Sequence, residues 1–247
     1  MSSDLHHHEL ETQAAAFRSA ALRAGPAAAV ATCPGWDVLR LVQHVSRMYA
    51  MANTALQQEP DVEPPRAPRP PAEFDDALTW WDERFAELTE NLSKLDPAEP
   101  VWSYFRGGTP ESWLRRMTHE TAVHRLDAEH AVACLEPGGV HELIFDPALA
   151  ADGVDEALGV LVPAREEWDD HDVQGRVLYH AADAGRAWLI EFQPRQAPRV
   201  GLPADAALEA EATVAGTADA LYRHAWGRPS QAAVTGDTSL ANLATAG

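Results

Sequence analysis

Apolar residues recur every three to four positions through most of the first half of the chain and alternate with polar ones in parts of the second, so the sequence predicts two kinds of folding unit. Residues 5–24 read as a helix, with Leu5, Ala16 and Leu22 in broad helical spacing, broken by Gly25-Pro26. The string Cys33-Pro34-Gly35-Trp36-Asp37 is a turn ending in a good N-cap, Asp37, with Trp36 placed as a hydrophobic staple. A second helix follows, carrying Leu41, His44, Val45, Met48 and Ala52 on one stripe. Residues 59–71 are proline-rich and lack either period, which predicts an extended crossover. A third helix spans 73–95, with Phe74, Leu78, Trp81, Phe85, Leu88 and Leu92 inward; Trp80-Trp81 reads most simply as core. After a loop holding Trp102, Tyr104 and Phe105, a fourth helix runs from Pro110 to Cys134 and is ended by Pro137-Gly138-Gly139. Four helices with one long crossover make a bundle.

Beyond it the pattern changes. Residues 146–168 suggest one more helix, starting at Asp146-Pro147. Strands are expected at 175–182 and 187–192 around a turn at Asp183-Ala184-Gly185, with a weaker third at 208–214. A helix over 217–226, a short strand at Val234-Thr235 and a last helix from Asp237 complete the chain. The expectation is an α+β protein of two domains, a helical bundle over 1–145 and a small α+β unit over 146–247.

Composition narrows the function classes. The net charge is −19 and the basic residues are scattered, so the basic patch that nucleic acid or anionic lipid requires is missing. A small-molecule substrate fits better, handled by a monomer or weak homo-oligomer. No apolar run approaches the roughly 20 residues that span a bilayer. The start, MSSDLHHHEL, lacks a basic segment followed by an apolar one, which argues against a signal peptide and for a cytoplasmic protein. Cys33 and Cys134 make neither a disulfide scaffold nor a zinc ribbon. Lys94 is the single lysine; every other basic residue is arginine, a bias typical of GC-rich genomes.

Candidate chemistry concentrates on the fourth helix. His119 and His124 are five residues apart and diverge by about 140° around the axis, which rules out a zinc-protease motif with its two histidines four apart. Glu120 and His124 are four apart and share a face, with Asp127 one turn further. Trp113, Met117, Ala128 and Ala131 flank that face and turn it inward, as Leu41, Val45 and Met48 do for His44. Buried ionisable groups must be neutral, hydrogen-bonded or metal-bound. Spacing alone leaves two readings open: a hydrogen-bonded core histidine beside a helical Glu–His pair, or a three-ligand metal site with an open position. His119 lies off that face, as a residue behind the ligands or a solvent residue. Arg125 and Asp127 either orient ligands or lock the bundle through ion pairs, the latter being preferred. Cys33 precedes a helix N-terminus, where a thiolate is stabilised, though turn and cap already explain the string. His6, His7 and His8 lie near a frayed end, and His130, His141, His171, His180 and His224 lack partner spacing, so solvent or loop roles are expected.

The strings Cys33-Pro34-Gly35-Trp36-Asp37 with His44, Trp113-Leu-Arg-Arg with His119-Glu120-Thr-Ala-Val-His124-Arg125-Leu-Asp127-Ala-Glu129, Asp152-Gly153-Val154-Asp155-Glu156 and Trp226-Gly227-Arg228 together resemble the mycothiol-dependent maleylpyruvate isomerase family. The likeness spans nearly the whole chain in the right order, and the helix-four string is its most specific part. It implies a DinB-like four-helix bundle followed by a sterol-carrier-like α+β domain, in bacteria that make mycothiol. It implies metal ligands at His44, Glu120 and His124, with Zn2+ the first choice of divalent ion and mycothiol the thiol cofactor or co-substrate. An arginine of the second domain, best matched by Arg228, is implied to grip the substrate carboxylate. The implied reaction is thiolate addition to an electrophilic double bond, rotation and elimination, or conjugation of an electrophile. The alternative is a protein that keeps bundle and metal without thiol chemistry, for example in natural-product biosynthesis, since fold does not set function.

Overall fold

The computed structural model describes residues 1–105, 107–135, 143–201 and 209–246. They divide into two compact units, Met1–Leu143 and Ile144–Gly247.

The first unit is built from α1 (Ser3–Ala24), α2 (Val38–Ala55), α3 (Phe74–Lys94) and α4 (Pro110–Ala133), with residues 59–71 running without helix or strand between α2 and α3. Three of the four helices, α1, α2 and α4, start where a side chain satisfies an orphan amide, whereas Glu73 ahead of α3 makes no such bond. Ser2 accepts from the amide of Leu5 and Asp37 from that of Arg40. Thr109 and Ser112 form a reciprocal capping box ahead of α4, with Pro110 in the first turn, where its missing N–H costs nothing. The longest packing seam runs between α1 and α4, while α2 packs on both α3 and α4. The core is apolar and aromatic: Leu10, Phe17, Leu41, Tyr49, Leu88, Trp113 and Met117 are fully buried, and Trp81 stacks on Phe85. Ion pairs pin the outside, Arg18 to Asp82 at 2.7 Å and Arg23 to Glu129 at 2.7 Å.

The turn between α1 and α2 is tightly tied. The amide of Trp36 donates to Cys33, placing Pro34 and Gly35, with φ +80°, at the central positions that a type II turn reserves for such residues. Val30 donates to Trp36, Val38 to Ala28 and Leu39 to Pro26, each at 3.0 Å.

The second unit has a five-stranded sheet in the order β3-β2-β1-β4-β5, formed by β1 (Gly175–Ala181), β2 (Arg186–Gln193), β3 (Gln196–Gly201), β4 (Ala212–Gly216) and β5 (Ala233–Gly236). β1 and β4 are parallel and the other pairs antiparallel. The helices of the unit are α5 (Pro147–Glu156), α6 (Ala218–Ala225) and α7 (Thr238–Leu243). Trp226 anchors α6 by donating to the carbonyl of Gly153 at 3.0 Å. Gly236 has φ +79°, and a Cβ there would lie 2.1 Å from the carbonyl oxygen of Glu211, so only glycine fits the β4–β5 pairing.

Three expectations need correction. The helix expected over 146–168 is α-helical only to Glu156; it widens to a π-turn over Ala157–Leu161 and ends before a 3-10 segment, Glu166–Asp170. Pro163 has no amide to continue the ladder, and Gly159 weakens the turn before it. β3 was not expected, because Pro198 interrupts its pattern; the strand sits at the sheet edge, where a missing donor is tolerated. The strand expected at 208–214 is observed at Ala212–Gly216, and Leu208 lies outside the described residues, as do Pro137-Gly138-Gly139 and His141. Among the described residues no helix is long and apolar enough to cross a membrane.

The start of α2 rests on one side-chain cap. Asp37→Ala is expected to cost about 1 kcal/mol of stability, read as a lower urea midpoint with an unchanged slope; an unchanged midpoint would show that the tied turn alone holds α2.

Candidate functional site

α2 and α4 bring His44, Glu120 and His124 to one place inside the bundle. Nε2 of His44 lies 2.8 Å from Oε1 of Glu120, and Nε2 of His124 lies 3.2 Å from the same oxygen. One ligand atom from each of the three falls within 4.8 Å of the others. The two imidazoles meet edge to face with centroids 4.8 Å apart. Glu120 and His124 are buried and His44 half-buried, which leaves the trio enclosed but not sealed. Glu120 and His124 share a face of α4 because they stand one turn apart.

Each of the two buried groups is oriented by a further contact. Asp127, itself fully buried, receives a hydrogen bond at 2.8 Å between its Oδ2 and Nδ1 of His124. A carboxylate on Nδ1 holds a proton there and fixes the ring so that Nε2 faces Glu120. The thiol of Cys33 reaches the same Oδ2 at 3.4 Å. Arg116, one turn before Glu120 on α4 and buried, donates from Nη2 to Oε2 of Glu120, so the second carboxylate oxygen is already engaged. The indole of Trp36 lies beside both imidazoles, 5.0 Å from the ring of His44 and 6.3 Å from that of His124, and Arg40 sits over its outer face.

The electrostatics follow from these contacts. Burial by itself would raise the Glu120 carboxyl, but the charges of Arg116 and His124 and the hydrogen bonds from both imidazoles outweigh it and hold the group well below the usual carboxylate range. Burial would likewise lower His124, yet the Glu120 charge and the hydrogen bonds to Asp127 and Cys33 hold its imidazole well above the ordinary value. Nearby, burial pushes the Tyr49 phenol up, and its hydroxyl shares a hydrogen bond of 2.7 Å with that of Thr121.

Asp127 was expected chiefly as an ion-pair lock and instead orients His124, whereas Arg125 fills the locking role by donating to Gln13 of α1 at 2.8 Å. His119 is fully buried, not solvent-facing, with its ring edge-on to that of His6 at 6.3 Å; His6 is buried too, not part of a frayed end. His224 has a partner, the Tyr179 hydroxyl at 2.9 Å from Nδ1, while His180 is exposed and His171 lies against Trp168. Arg228 belongs to the second unit, half-buried, with Nη1 donating to the Trp226 carbonyl at 2.6 Å. Sequence reasoning missed Arg116 and the Trp36 wall. Arg116 had a signal, since it stands four residues before Glu120 on the same inward face.

Two family models match the chain in succession. The mycothiol maleylpyruvate isomerase N-terminal domain covers residues 7–129, and the C-terminal domain of the same family covers 148–243. No curated protein matches. The fold is similar to the crystal structure of a mycothiol-dependent maleylpyruvate isomerase at a TM-score of 0.64 and 12% identity, covering 96% of this chain and 94% of that one. A histidine-to-alanine mutant of such an isomerase gives a TM-score of 0.62 at 13% identity, with the same coverage of 96% and 94%. The α+β fold, helical first and with a small sheet after, is thus that of this isomerase. Matched by both domain models in order, the chain belongs to the mycothiol maleylpyruvate isomerase family.

Proposed function

We propose that this protein is a metal-dependent enzyme that uses mycothiol to isomerise or conjugate an electrophilic small molecule, with a divalent ion, Zn2+ in the first place, held by His44, Glu120 and His124. The observation that carries the reading is the convergence of two imidazole Nε2 atoms on one carboxylate oxygen. The donor set fits the group: two nitrogens and one oxygen match a catalytic zinc site of three protein ligands, and the second oxygen of Glu120 is occupied by Arg116. When bound, such an ion lowers the pKa of a coordinated thiol, so that thiolate is available at neutral pH.

The chain's own residues do the rest. Asp127 keeps the proton of His124 on Nδ1 and leaves Nε2 as a lone-pair donor. Trp36 supplies a flat apolar wall that sheds water from the side of both imidazoles. Arg228 is the residue proposed to bind a substrate carboxylate; its neighbour Arg223 has its fork engaged by Asp219 at 2.8 and 3.2 Å. Isomerisation of maleylpyruvate is the activity of the named structural relatives, and a cis enedioic acid is the first substrate to test here.

Elemental analysis after purification is expected to find about one divalent ion per chain in the wild type and to find it lost in His44→Ala and Glu120→Ala, because three-ligand sites do not survive removal of a ligand. Undiminished metal in both variants sinks the site. Turnover of maleylpyruvate, or of an electrophilic conjugation substrate, is expected only with mycothiol present. Arg228→Ala should raise KM about tenfold or more, the worth of a charge-assisted carboxylate bond. Turnover indifferent to mycothiol would point to the same metal site working with water.

A further test concerns pH in protein stripped of metal by a chelator. Glu120, held low, contributes stability that is fully present above about pH 4.5 and is lost as pH falls through its folded value. His124, held high, contributes stability that is fully present below about pH 6.5 and is lost as pH rises through its folded value. The difference in Tm between wild type and Glu120→Gln is therefore expected to be greatest between about pH 4.5 and 6.5 and to shrink on both sides. A difference independent of pH would remove the ion pair from the account.

A further inference from the structure

Orienting Glu120 does not by itself call for a charge. A neutral amide or hydroxyl donor satisfies a carboxylate oxygen, and burying a guanidinium carries a desolvation cost that a neutral donor avoids. Yet the group on Oε2 is Arg116, whose side chain is 4% exposed against 8% for Glu120. What the arginine adds over a neutral donor is a fixed positive charge beside the carboxylate.

Resting on the metal site proposed above, we propose that Arg116 is a positioning residue whose charge keeps the metal centre cationic and so sets its preference for anionic over neutral ligands. The charges near the trio make the case. Glu120 and Asp127 each bring one negative charge, the two histidines are neutral when they ligate, and the ion brings two positive charges. With Arg116 the sum is +1; without it the sum is zero. Arg23 and Glu129, further along the bundle, pair with each other at 2.7 Å and leave that sum unchanged; Arg40 lies beyond the Trp36 ring and is exposed, where solvent and salt screen its charge. In a buried site a unit charge is weakly screened, and it acts on every ligand that enters. A nearby cation opposes binding of the ion but favours binding of a thiolate or carboxylate to it. Arg116 thus trades some metal affinity for anion affinity, a bargain suited to a site whose incoming groups are negatively charged.

The same reasoning separates charge from hydrogen bonding. Arg116→Lys keeps the charge and loses the planar fork; Arg116→Gln keeps a donor for Oε2 and loses the charge. Wild type and both variants are loaded with Co2+, whose visible spectrum reports ligand exchange, and titrated with thiocyanate as the anionic probe and imidazole as the neutral one. Co2+ affinity is measured separately by competition with a chelator, and far-UV circular dichroism checks the fold. The lysine variant is expected to hold thiocyanate within about threefold of wild type, and the glutamine variant to hold it about tenfold or more weakly. Imidazole affinity stays level throughout, and Co2+ affinity in the glutamine variant does not fall. Should that variant not fold, Arg116→Met takes its place; it removes donor and charge together, and unchanged imidazole and Co2+ affinities then separate the loss of charge from a loss of geometry. The inference is overturned if the neutral variant keeps thiocyanate, if imidazole weakens equally, or if Co2+ affinity drops in step, which would mark Arg116 as support for geometry only. A wild type that takes up no Co2+ would instead sink the metal site and this inference with it.

Discussion

Glu120 is a carboxylate removed from water, and much of the first unit can be understood as the means of matching its charge. Burial alone would leave it protonated and useless as a ligand. Arg116 meets one oxygen from the same helix, and the two imidazoles meet the other, one from α4 and one from α2. Only the second of these crosses between helices, so the placement of α2 against α4 decides whether the trio exists at all. The Asp37 cap, the tied turn ahead of it and the apolar seam around Leu41 and Trp113 all bear on that placement. A core built purely from aliphatic side chains would be easier to stabilise. Here several ionisable groups share it, and each has to be paired.

The second unit handles its polar interior separately. Tyr179 and His224 bond to each other, Asp155 takes Arg186 and the Trp188 indole, and Asp219 engages Arg223. The first two sets knit strands to helices within the unit, while the Asp219–Arg223 pair lies within α6; a small sheet would otherwise have one face short of cover.

How far the sequence could be read depended on how local the cause was. Helical period and capping residues gave the four helices of the bundle nearly to their ends, because both signals lie within a few residues of what they control. Helical phase likewise separated His119 from the face shared by Glu120 and His124, and that separation holds in the structure. The role of Asp127 did not follow, since an i,i+3 carboxylate serves equally well as a ligand's partner or as a lock, and the decision falls to packing. Cys33 and Trp36 come from a loop whose landing place is tertiary, so their approach to Asp127 and the imidazoles had no one-dimensional trace. β3 was hidden for the opposite reason: Pro198 broke the strand pattern at an edge where the ladder does not need its amide.

The tied turn between α1 and α2 also separates the shape of a loop from the chemistry it presents. Cys33, Trp36 and the Asp37 cap ride on one short loop, closed by a glycine in the left-handed region and by backbone hydrogen bonds that use no side chain. The loop's shape is therefore largely insensitive to which side chains it presents. Its thiol and its indole are carried to Asp127 and the imidazoles on a backbone mount, so a substitution at either changes what meets the site while the imidazoles and carboxylate behind them stay where the helices put them.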